Sequence, residues 1–348
     1  MKGSTTISSA KAIHPLVQYV EVWNMDEDGQ SLLLHGHGRV RGGLMESDST
    51  VVRLKDGEGP AGMAWHQRRA IILQEAPSEL LKRTGLKNGV ELSALIAFPV
   101  LQGQQVRAVV VMGIGHGPGA FEVWNRDDRD ELSVSAGYYS GLKKFEFISR
   151  FVRFPKGAGL PGSVWKSGDA GIATDLPQND RFMRSFAADD AELNTGLGLP
   201  VGTFGGHSES VLVLLSSHSK PIANAFEIWR PRSAHSGAAS EACLRITQSD
   251  YSALTAGIPA ESSAAPTVDQ PLRRLELATL DSRIPSMAAP CDSAITDCWN
   301  SGLPVFSTDL AASLASRHEI AGELGLRALL AIPVFRGIDR NSVVVMLF

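Results

Sequence analysis

The sequence predicts an α+β protein of three repeated units, each a central antiparallel β-sheet with short helices on one face. Three motifs support this fold class, because each occurs three times and in the same order along 348 residues. They are a β-type run that ends in tryptophan, a glycine-rich loop before a second tryptophan, and an apolar strand interrupted by proline. The chain has 6 tryptophans, and each belongs to one copy of one motif.

The motifs recur roughly every 100 residues, apart from an insertion in the third copy. The first motif occupies residues 19–24 (YVEVWN), 120–125 (AFEVWN) and 225–230 (AFEIWR). The second occupies 57–65 (GEGPAGMAW) and 157–165 (GAGLPGSVW), with a degenerate copy at 293–299 (SAITDCW). The third occupies 96–100 (IAFPV), 197–201 (LGLPV) and 330–334 (LAIPV). These positions predict units at residues 1–116, 117–218 and 219–348, the last with a loop insertion at about 250–275.

The elements of a unit are best seen in the second copy. Residues 121–125 form a predicted strand, and residues 131–139 alternate in polarity as its hairpin partner. Residues 145–154 place phenylalanines at alternating positions and predict a third strand. The remaining predicted elements are a short helix at 160–166, a strand at 172–174, a helix at 180–194 and closing strands at 198–201 and 211–216.

Composition and charge exclude several function classes. The formal net charge of −4 disfavours a general nucleic-acid binder, whose domain is usually basic. No apolar run reaches the ~18 residues of a membrane span, and the polar N-terminus, which has no apolar signal core, predicts a cytoplasmic protein. The chain has three cysteines (Cys243, Cys291 and Cys298), and this small, odd number argues against a disulfide framework.

The second unit resembles the GAF domain, a sensory fold related to PAS. The likeness is carried by the glycine-rich loop and the runs that follow it, 174–176 (TDL), 179–182 (NDRF) and 198–201 (GLPV). It extends over most of residues 19–348 and is weaker in the other two units. Members of that family usually begin and end with a helix, but no helix of useful length fits between the units here. We therefore expect the uncovered sheet faces to pack against one another or to form a dimer.

The resemblance implies a ligand site between the sheet and the segments on its helical face. The candidate residues of this site in the second unit are Phe151, Phe154, Trp165, Asp175, Asn179, Arg181 and Phe182. Arg181 would pair with an anionic ligand group, and Asp175 would accept hydrogen bonds from a ring or hydroxyl. The alternative is that Asp175 caps the following segment and Arg181 is a surface charge.

Other motifs point more weakly to chemistry. The glycine-rich loops lack the lysine of a P-loop and predict tight turns, although a helix that begins near Gly159 could still bind an anion. His35 and His37 supply two ligands, whereas a zinc site needs at least three. Cys298 takes a core position in the third repeat, with a redox pair to Cys291 as the alternative. The sequence identifies no catalytic residue, no metal site and no cofactor.

Together these observations predict a non-enzymatic sensory or regulatory protein that binds a small molecule, a protein partner or both. A homodimer or a downstream protein is the expected macromolecular partner. One alternative is a ligand-free scaffold for dimerisation or protein interaction. A second is a small cysteine-dependent reductase, because some GAF relatives reduce free methionine sulfoxide.

Overall fold

The computed structural model describes residues 14–40, 52–74, 92–202, 210–231, 244–255, 292–314 and 317–348. Within these ranges the chain forms three antiparallel sheets, which follow one another along the sequence. The first sheet contains β1 (Val17–Met25), β2 (Leu32–Arg39), β3 (Arg53–Leu54), β4 (Ile71–Leu73), β5 (Ala94–Gln102) and β6 (Gln105–Ile114). Helix α1 (Gly59–Gln67) precedes β4, and the strand order is β3-β2-β1-β6-β5-β4.

The second sheet repeats this order without the short extra edge strand. Its strands are β7 (Gly119–Arg126), β8 (Leu132–Tyr138), β9 (Gly171–Ala173), β10 (Thr195–Pro200) and β11 (Ser210–Ser216), in the order β8-β7-β11-β10-β9. Its helices are α2 (Lys143–Phe151), α3 (Gly159–Ser167) and α4 (Ser185–Asp190).

The third sheet has the same strand order as the second. Its strands are β12 (Ala225–Pro231), β13 (Leu244–Asp250), β14 (Val305–Ser307), β15 (Leu329–Arg336) and β16 (Asp339–Leu347), in the order β13-β12-β16-β15-β14. Its helices are α5 (Ser252–Thr255), α6 (Ser293–Ser301), α7 (Leu310–Ser313) and α8 (His318–Glu323).

The sequence motifs occupy the same place in each sheet. Every first motif is a central strand with a β-bulge just before its tryptophan, at Trp23, Trp124 and Trp229. Each proline strand pairs with the last strand, so that Pro99, Pro200 and Pro333 lie opposite Val109, Val211 and Val343. The α+β fold class is confirmed.

The sheet faces that lack helices pack together into one central core. Because side chains alternate along a strand, Leu212 and Leu214 of β11 enter this core, whereas Val211, Val213 and Leu215 face the helices. Phe98, Phe121 and Met346 bring the other strands into the same cluster. The three proline strands also line one small hollow. The sheet face that carries no helix in the described residues is therefore covered, in each unit, by the neighbouring sheets.

The sheets contact one another in a closed head-to-tail ring. The edge strand β4 contacts β7 and β8, the edge strand β9 contacts β13, and the edge strand β14 contacts β1 and β2. Polar groups join the elements across these junctions: the Ile172 amide donates to Gln248 Oε1 at 3.0 Å, and Thr195 Oγ1 donates to Asp250 Oδ2 at 2.8 Å. Each sheet thus shields an edge of the next.

Two elements of the second unit differ from the prediction. The segment predicted as a strand at 145–154 is mostly helix α2, because Phe145 and Ser149 follow helical spacing on the buried face while Phe147 and Phe151 point outward. The helix predicted over 180–194 is limited to α4, and Phe186 is exposed rather than on the buried face with Phe182 and Leu193. Of the insertion predicted at about 250–275 in the third unit, residues 256–275 lie outside the described residues.

Candidate functional site

The seven predicted site residues do not line one common cavity. Phe154, Trp165 and Phe182 are buried in the core on the helical face of the second sheet. Phe151 lies on the outer face of α2, with 70% of its surface exposed. Asp175, Asn179 and Arg181 lie on the segment between β9 and α4, where Asp175 and Arg181 are exposed.

An arginine of the protein itself occupies the space between the second sheet and its helices. Arg184 Nη1 and Nη2 donate to the two carboxylate oxygens of Glu122 at 2.5 and 2.8 Å, and Nη1 also donates to Ser149 Oγ at 2.6 Å. The guanidinium lies within 4.6 to 5.7 Å of four aromatic ring centroids, those of Trp124, Phe145, Phe154 and Phe182. Two of the predicted ligand-binding aromatics therefore enclose an internal cation.

The third sheet repeats this arrangement with Arg317. Its guanidinium donates to Glu227 Oε1 at 2.6 Å and to Asp292 Oδ2 at 2.7 Å, and it lies 5.4 Å from the Trp229 ring centroid. Burial alone would raise the pKa of Glu227, but the charge and hydrogen bonds of Arg317 outweigh it, so that this pKa is lowered. The pKa of Asp292 is raised, because the effect of burial is larger than the opposing effect of the Arg317 charge.

The glutamate of each pair is one that sequence reasoning missed. The first motif places a glutamate two residues before its tryptophan in every copy, and the indole N–H donates to it: Trp23 to Glu21 at 2.7 Å, Trp124 to Glu122 at 3.0 Å and Trp229 to Glu227 at 2.8 Å. The arginines also carry a signal, since Arg184 and Arg317 precede the prolines of their units by the same number of residues. Arg83 has that position in the first unit but lies outside the described residues.

A cleft of about 440 Å³ opens at the edge of the second sheet, on the side of the third sheet. Its walls are α3, the segment from β9 to Phe182, and side chains of β12 and β13. Asn179, Arg181 and Phe182 of the predicted site line it, together with Arg230 and Gln248 of the third unit. Phe151, Phe154, Trp165 and Asp175 do not line it. The volume lies within the range typical of small-molecule sites.

The charged groups of the cleft differ in how firmly they are held. Arg230 donates to Asp169 Oδ2 at 2.7 Å, and the buried Ser342 hydroxyl donates to the other oxygen of Asp169 at 2.5 Å. The Arg181 guanidinium, in contrast, makes no ion pair with any residue of the described ranges. Among the described residues, Arg181 therefore offers a positive charge that no ion pair neutralises.

Backbone groups add to the positive potential of the cleft. Helix α3 has no side-chain cap, and Gly159 and Leu160 of its first turn line the cleft. The first N–H groups of a helix have no partner within the helix and favour an anion. The Asn179 side chain accepts from the Arg181 amide at 3.0 Å and donates to the Thr174 carbonyl at 3.1 Å, which holds this wall in place.

The described residues contain neither a metal centre nor an exposed cysteine. No group of three or more His, Cys, Asp or Glu side chains in them is arranged to hold a metal ion. Cys298 is buried in α6, and burial raises the pKa of its thiol well above the ordinary value. Cys243 and Cys291 lie outside the described residues.

Comparison with known families gives a match at the start of the chain. A family model described as "GAF domain" matches residues 5–142, which include the first sheet and the strands β7 and β8. The sequence resemblance noted above is strongest at 117–218, so the model match lies mainly on a different unit. No curated protein matches the chain.

Several solved structures match part of the chain at low sequence identity and low TM-score. One is the GAF domain of nlh2 from A. aeolicus in an inactive state, with 18% identity, a TM-score of 0.23, and coverage of 28% of this chain and 57% of that chain. Another is the GAF domain of Acinetobacter phosphoenolpyruvate-protein phosphotransferase, with 21% identity, a TM-score of 0.22, and coverage of 28% and 57%. A third is free methionine-R-sulfoxide reductase from Neisseria meningitidis in complex with its substrate, with 18% identity, a TM-score of 0.22, and coverage of 30% and 53%.

The chain therefore spans little more than half the length of these structures. In the described part of the chain, no helix has the length and apolar character needed to cross a membrane.

Proposed function

We propose that this chain is a non-enzymatic sensory or regulatory protein of the cytoplasm, built from three GAF-like units at residues 1–116, 117–218 and 219–348. Its ligand is a small anionic molecule that binds in the cleft between the second and third sheets. The observation that carries the proposal is Arg181, whose guanidinium lines a cleft of ligand size without an ion pair in the described ranges.

The other groups of the cleft support the same ligand charge. An anion beside Arg181 would also face the N–H groups at the start of α3, and the two effects add because both place positive potential in the same space. Arg230 contributes less, since Asp169 already neutralises it. Because the cleft is lined by two units, a bound ligand would contact both and influence how they pack.

A ligand-free scaffold is the second candidate, and the filled interiors support it. Arg184 and Arg317 occupy the space between sheet and helices where the family resemblance implies a ligand. A cysteine-dependent reductase has less support. The thiolate is the reactive form of cysteine, and burial disfavours it at Cys298.

Thermal unfolding in the presence of small anions tests the proposal. The probes are sodium nitrate, phosphate, succinate and citrate at equal ionic strength, with chloride as the reference. A ligand that binds only the folded state raises the melting temperature, by an amount that grows with its concentration. We expect at least one probe to do so, and we expect Arg181→Ala to abolish the shift.

Arg129→Ala is the matched control, because Arg129 is an exposed arginine in the β7–β8 hairpin, away from the cleft. The control should keep the full shift. Native mass spectra of the protein as purified add an independent measurement: a mass excess that disappears on denaturation would identify a bound ligand. An absence of any anion-dependent shift, together with a clean ligand-free mass, would favour the scaffold.

A further inference from the structure

Four large apolar side chains stand exposed together on the helical face of the second unit. They are Phe147 (63% exposed), Phe151 (70%), Met183 (55%) and Phe186 (72%). We call this set the aromatic patch. Among the described residues one further large apolar side chain is comparably exposed, Ile338 in the β15–β16 turn. Contiguous apolar surface of a few hundred Å² is comparable to the largest apolar patch on a typical monomer, and such a patch is often functional.

The exposed side chains of α2 and α4 are neighbours, because the two helices contact each other. The rings of Phe147 and Phe151 are 4.9 Å apart between centroids, one helical turn from each other. Lys144 lies on the same stripe of α2, and its ammonium sits 5.1 Å from the Phe186 ring centroid while pairing with Asp190. The opposite face of α2 is already used, since Phe145 and Ser149 contact Arg184.

The charges around the patch are balanced and separated by helix. Helix α2 carries Lys143, Lys144 and Arg150 against a single acid, Glu146. Helix α4 carries Asp189 and Asp190 and no base. A partner of one charge sign, such as a nucleic acid or an anionic membrane, would meet repulsion from one of the two helices. About a two-fold axis that runs between the two helices, α2 of one copy would lie opposite α4 of the other. Within the chain Lys144 already pairs with Asp190 and Arg150 with Glu146, so Lys143 and Asp189 are the charges left to pair between copies.

The size of the patch fits a small two-fold contact. With each side chain more than half exposed, the four residues offer about 500 Å² of surface, on the scale of 150–250 Å² per aromatic side chain. A symmetric contact would therefore bury about 1,000 Å² in total, which is near the lower limit for a specific interface. This argues for a reversible dimer rather than a permanent one.

We propose that the aromatic patch is a homodimer interface, in which α2 of one copy packs against α4 of a second copy of this chain about a two-fold axis. The aromatic patch shares no residue with the cleft between the second and third sheets, so the dimer and the ligand site can be tested independently. It also differs from a dimer through the open sheet faces, because those faces are buried within the chain.

Sedimentation velocity of the full chain over about 1–100 μM tests the interface. We expect the sedimentation coefficient to rise with concentration, and we expect the double variant Phe147→Ser/Phe186→Ser to raise the dissociation constant by about a hundredfold. Ile338→Ser is the matched control, because Ile338 is equally exposed but lies in the third unit. It should dimerise like the unmodified chain. A circular dichroism spectrum and a urea midpoint equal to those of the unmodified chain would show that the double variant is folded.

A charge exchange tests the orientation of the two helices. Lys143→Glu and Asp189→Lys should each weaken the dimer, because each brings like charges together across the axis. The double variant Lys143→Glu/Asp189→Lys should restore it. A chain that stays monomeric throughout the concentration range, or a dimer that the loss of Phe147 and Phe186 leaves unchanged, would overturn the proposal.

Discussion

A buried glutamate beside the first-motif tryptophan connects the sheet to its helical face in the second and third units. Glu122 and Glu227 each accept from an indole N–H and from an arginine, so that both carboxylate oxygens are bonded. In the first sheet Glu21 accepts from Trp23 and from the Tyr19 hydroxyl at 2.9 Å. Because an unpaired charge in a protein interior is costly, these glutamates fix the position of the segments that bring their partners.

The pH dependence of stability should expose the contribution of Glu227. Its pKa in the folded state lies below the 4.5 of an ordinary glutamate, owing to Arg317. The stabilisation is therefore complete above about pH 4.5 and is lost as the pH falls through the lower, folded-state pKa. We expect Glu227→Gln to lower the free energy of unfolding by about 1.5–3 kcal/mol at pH 7. The difference from the unmodified chain should shrink steadily below pH 4.5.

Urea unfolding at a series of pH values measures this difference. Asp292, whose pKa is shifted upward, responds to acid in the opposite direction, and the charge of Glu227 contributes to that shift. Both proteins are therefore compared in an Asp292→Asn background. Glu319→Gln is the control, since Glu319 is an exposed acid in the first turn of α8. If Glu227→Gln is less stable than the unmodified chain by the same free energy of unfolding at pH 3 as at pH 7, the stabilisation does not come from the ionised Glu227 carboxylate.

The sequence predicts the tryptophans of this cluster better than its charges. Trp124 and Trp229 are core residues, as their fixed place in each repeat indicates. Glu122 was harder to predict, because a glutamate is seldom fully buried and its partner Arg184 lies far away in the chain. The predicted ligand site includes Phe154 and Phe182, which are buried and surround an arginine of the protein itself.

At the scale of one element, the glycine-rich loop is explained by the close approach of two backbone segments. A Cβ on Gly162 would overlap the carbonyl oxygen of Pro155, and a Cβ on Gly62 would lie 2.5 Å from the Lys55 carbonyl oxygen. The loop closes with a bond from the Gly157 amide to the Gly162 carbonyl at 2.7 Å. Glycine is required here by packing rather than by a bound phosphate.

If packing requires glycine at this position, Gly162→Ala should lower the stability of the protein, the reverse of the usual effect of this substitution in a helix. Within a helix, alanine is normally favoured over glycine by about 1 kcal/mol. At Gly162 the clash with a carbonyl should cost more, on the scale of the 1–3 kcal/mol of an overpacked site. We therefore expect Gly162→Ala to lower the urea midpoint. Ser163→Ala, at the next and exposed position of α3, should leave it unchanged or raise it. An increase for Gly162→Ala would show that the turn can relax.

Periodicity alone did not distinguish strand from helix for α2. Phe145, Phe147 and Phe151 are compatible with alternation, but the residue that decides the face is Ser149, a polar side chain buried one turn after Phe145. It donates to the Phe145 carbonyl at 2.8 Å and accepts from Arg184. A buried serine has no hydrophobic signal, and for this reason the pattern predicts the wrong element.

At the scale of the whole molecule, the lack of a helix in the described connections between consecutive sheets accounts for the arrangement of the sheets. Ile114 and Gly119, the end of β6 and the start of β7, are joined by a short connection with no helix. The sequence therefore predicts that the open faces are covered, and it leaves two possibilities, packing within the chain or a dimer. It does not predict the ring, because the junctions depend on edge strands as short as β4, β9 and β14, each of 3 residues.

The shared core predicts that the three sheets unfold together. Residues of all three sheets contribute to a single cluster, so the loss of one sheet would expose apolar surface on the other two.

Each sheet contains one buried first-motif tryptophan, Trp23, Trp124 or Trp229, which can report on the unfolding of that sheet. With 5-fluorotryptophan incorporated, the fluorine resonances of the three should disappear at the same urea concentration. Leu212→Ala, in the shared cluster, should lower all three midpoints equally and reduce the free energy of unfolding by about 2–5 kcal/mol. A resonance that is lost before the others would mean that the ring opens one sheet at a time, and that the shared core stabilises the sheets less than their own helical faces do.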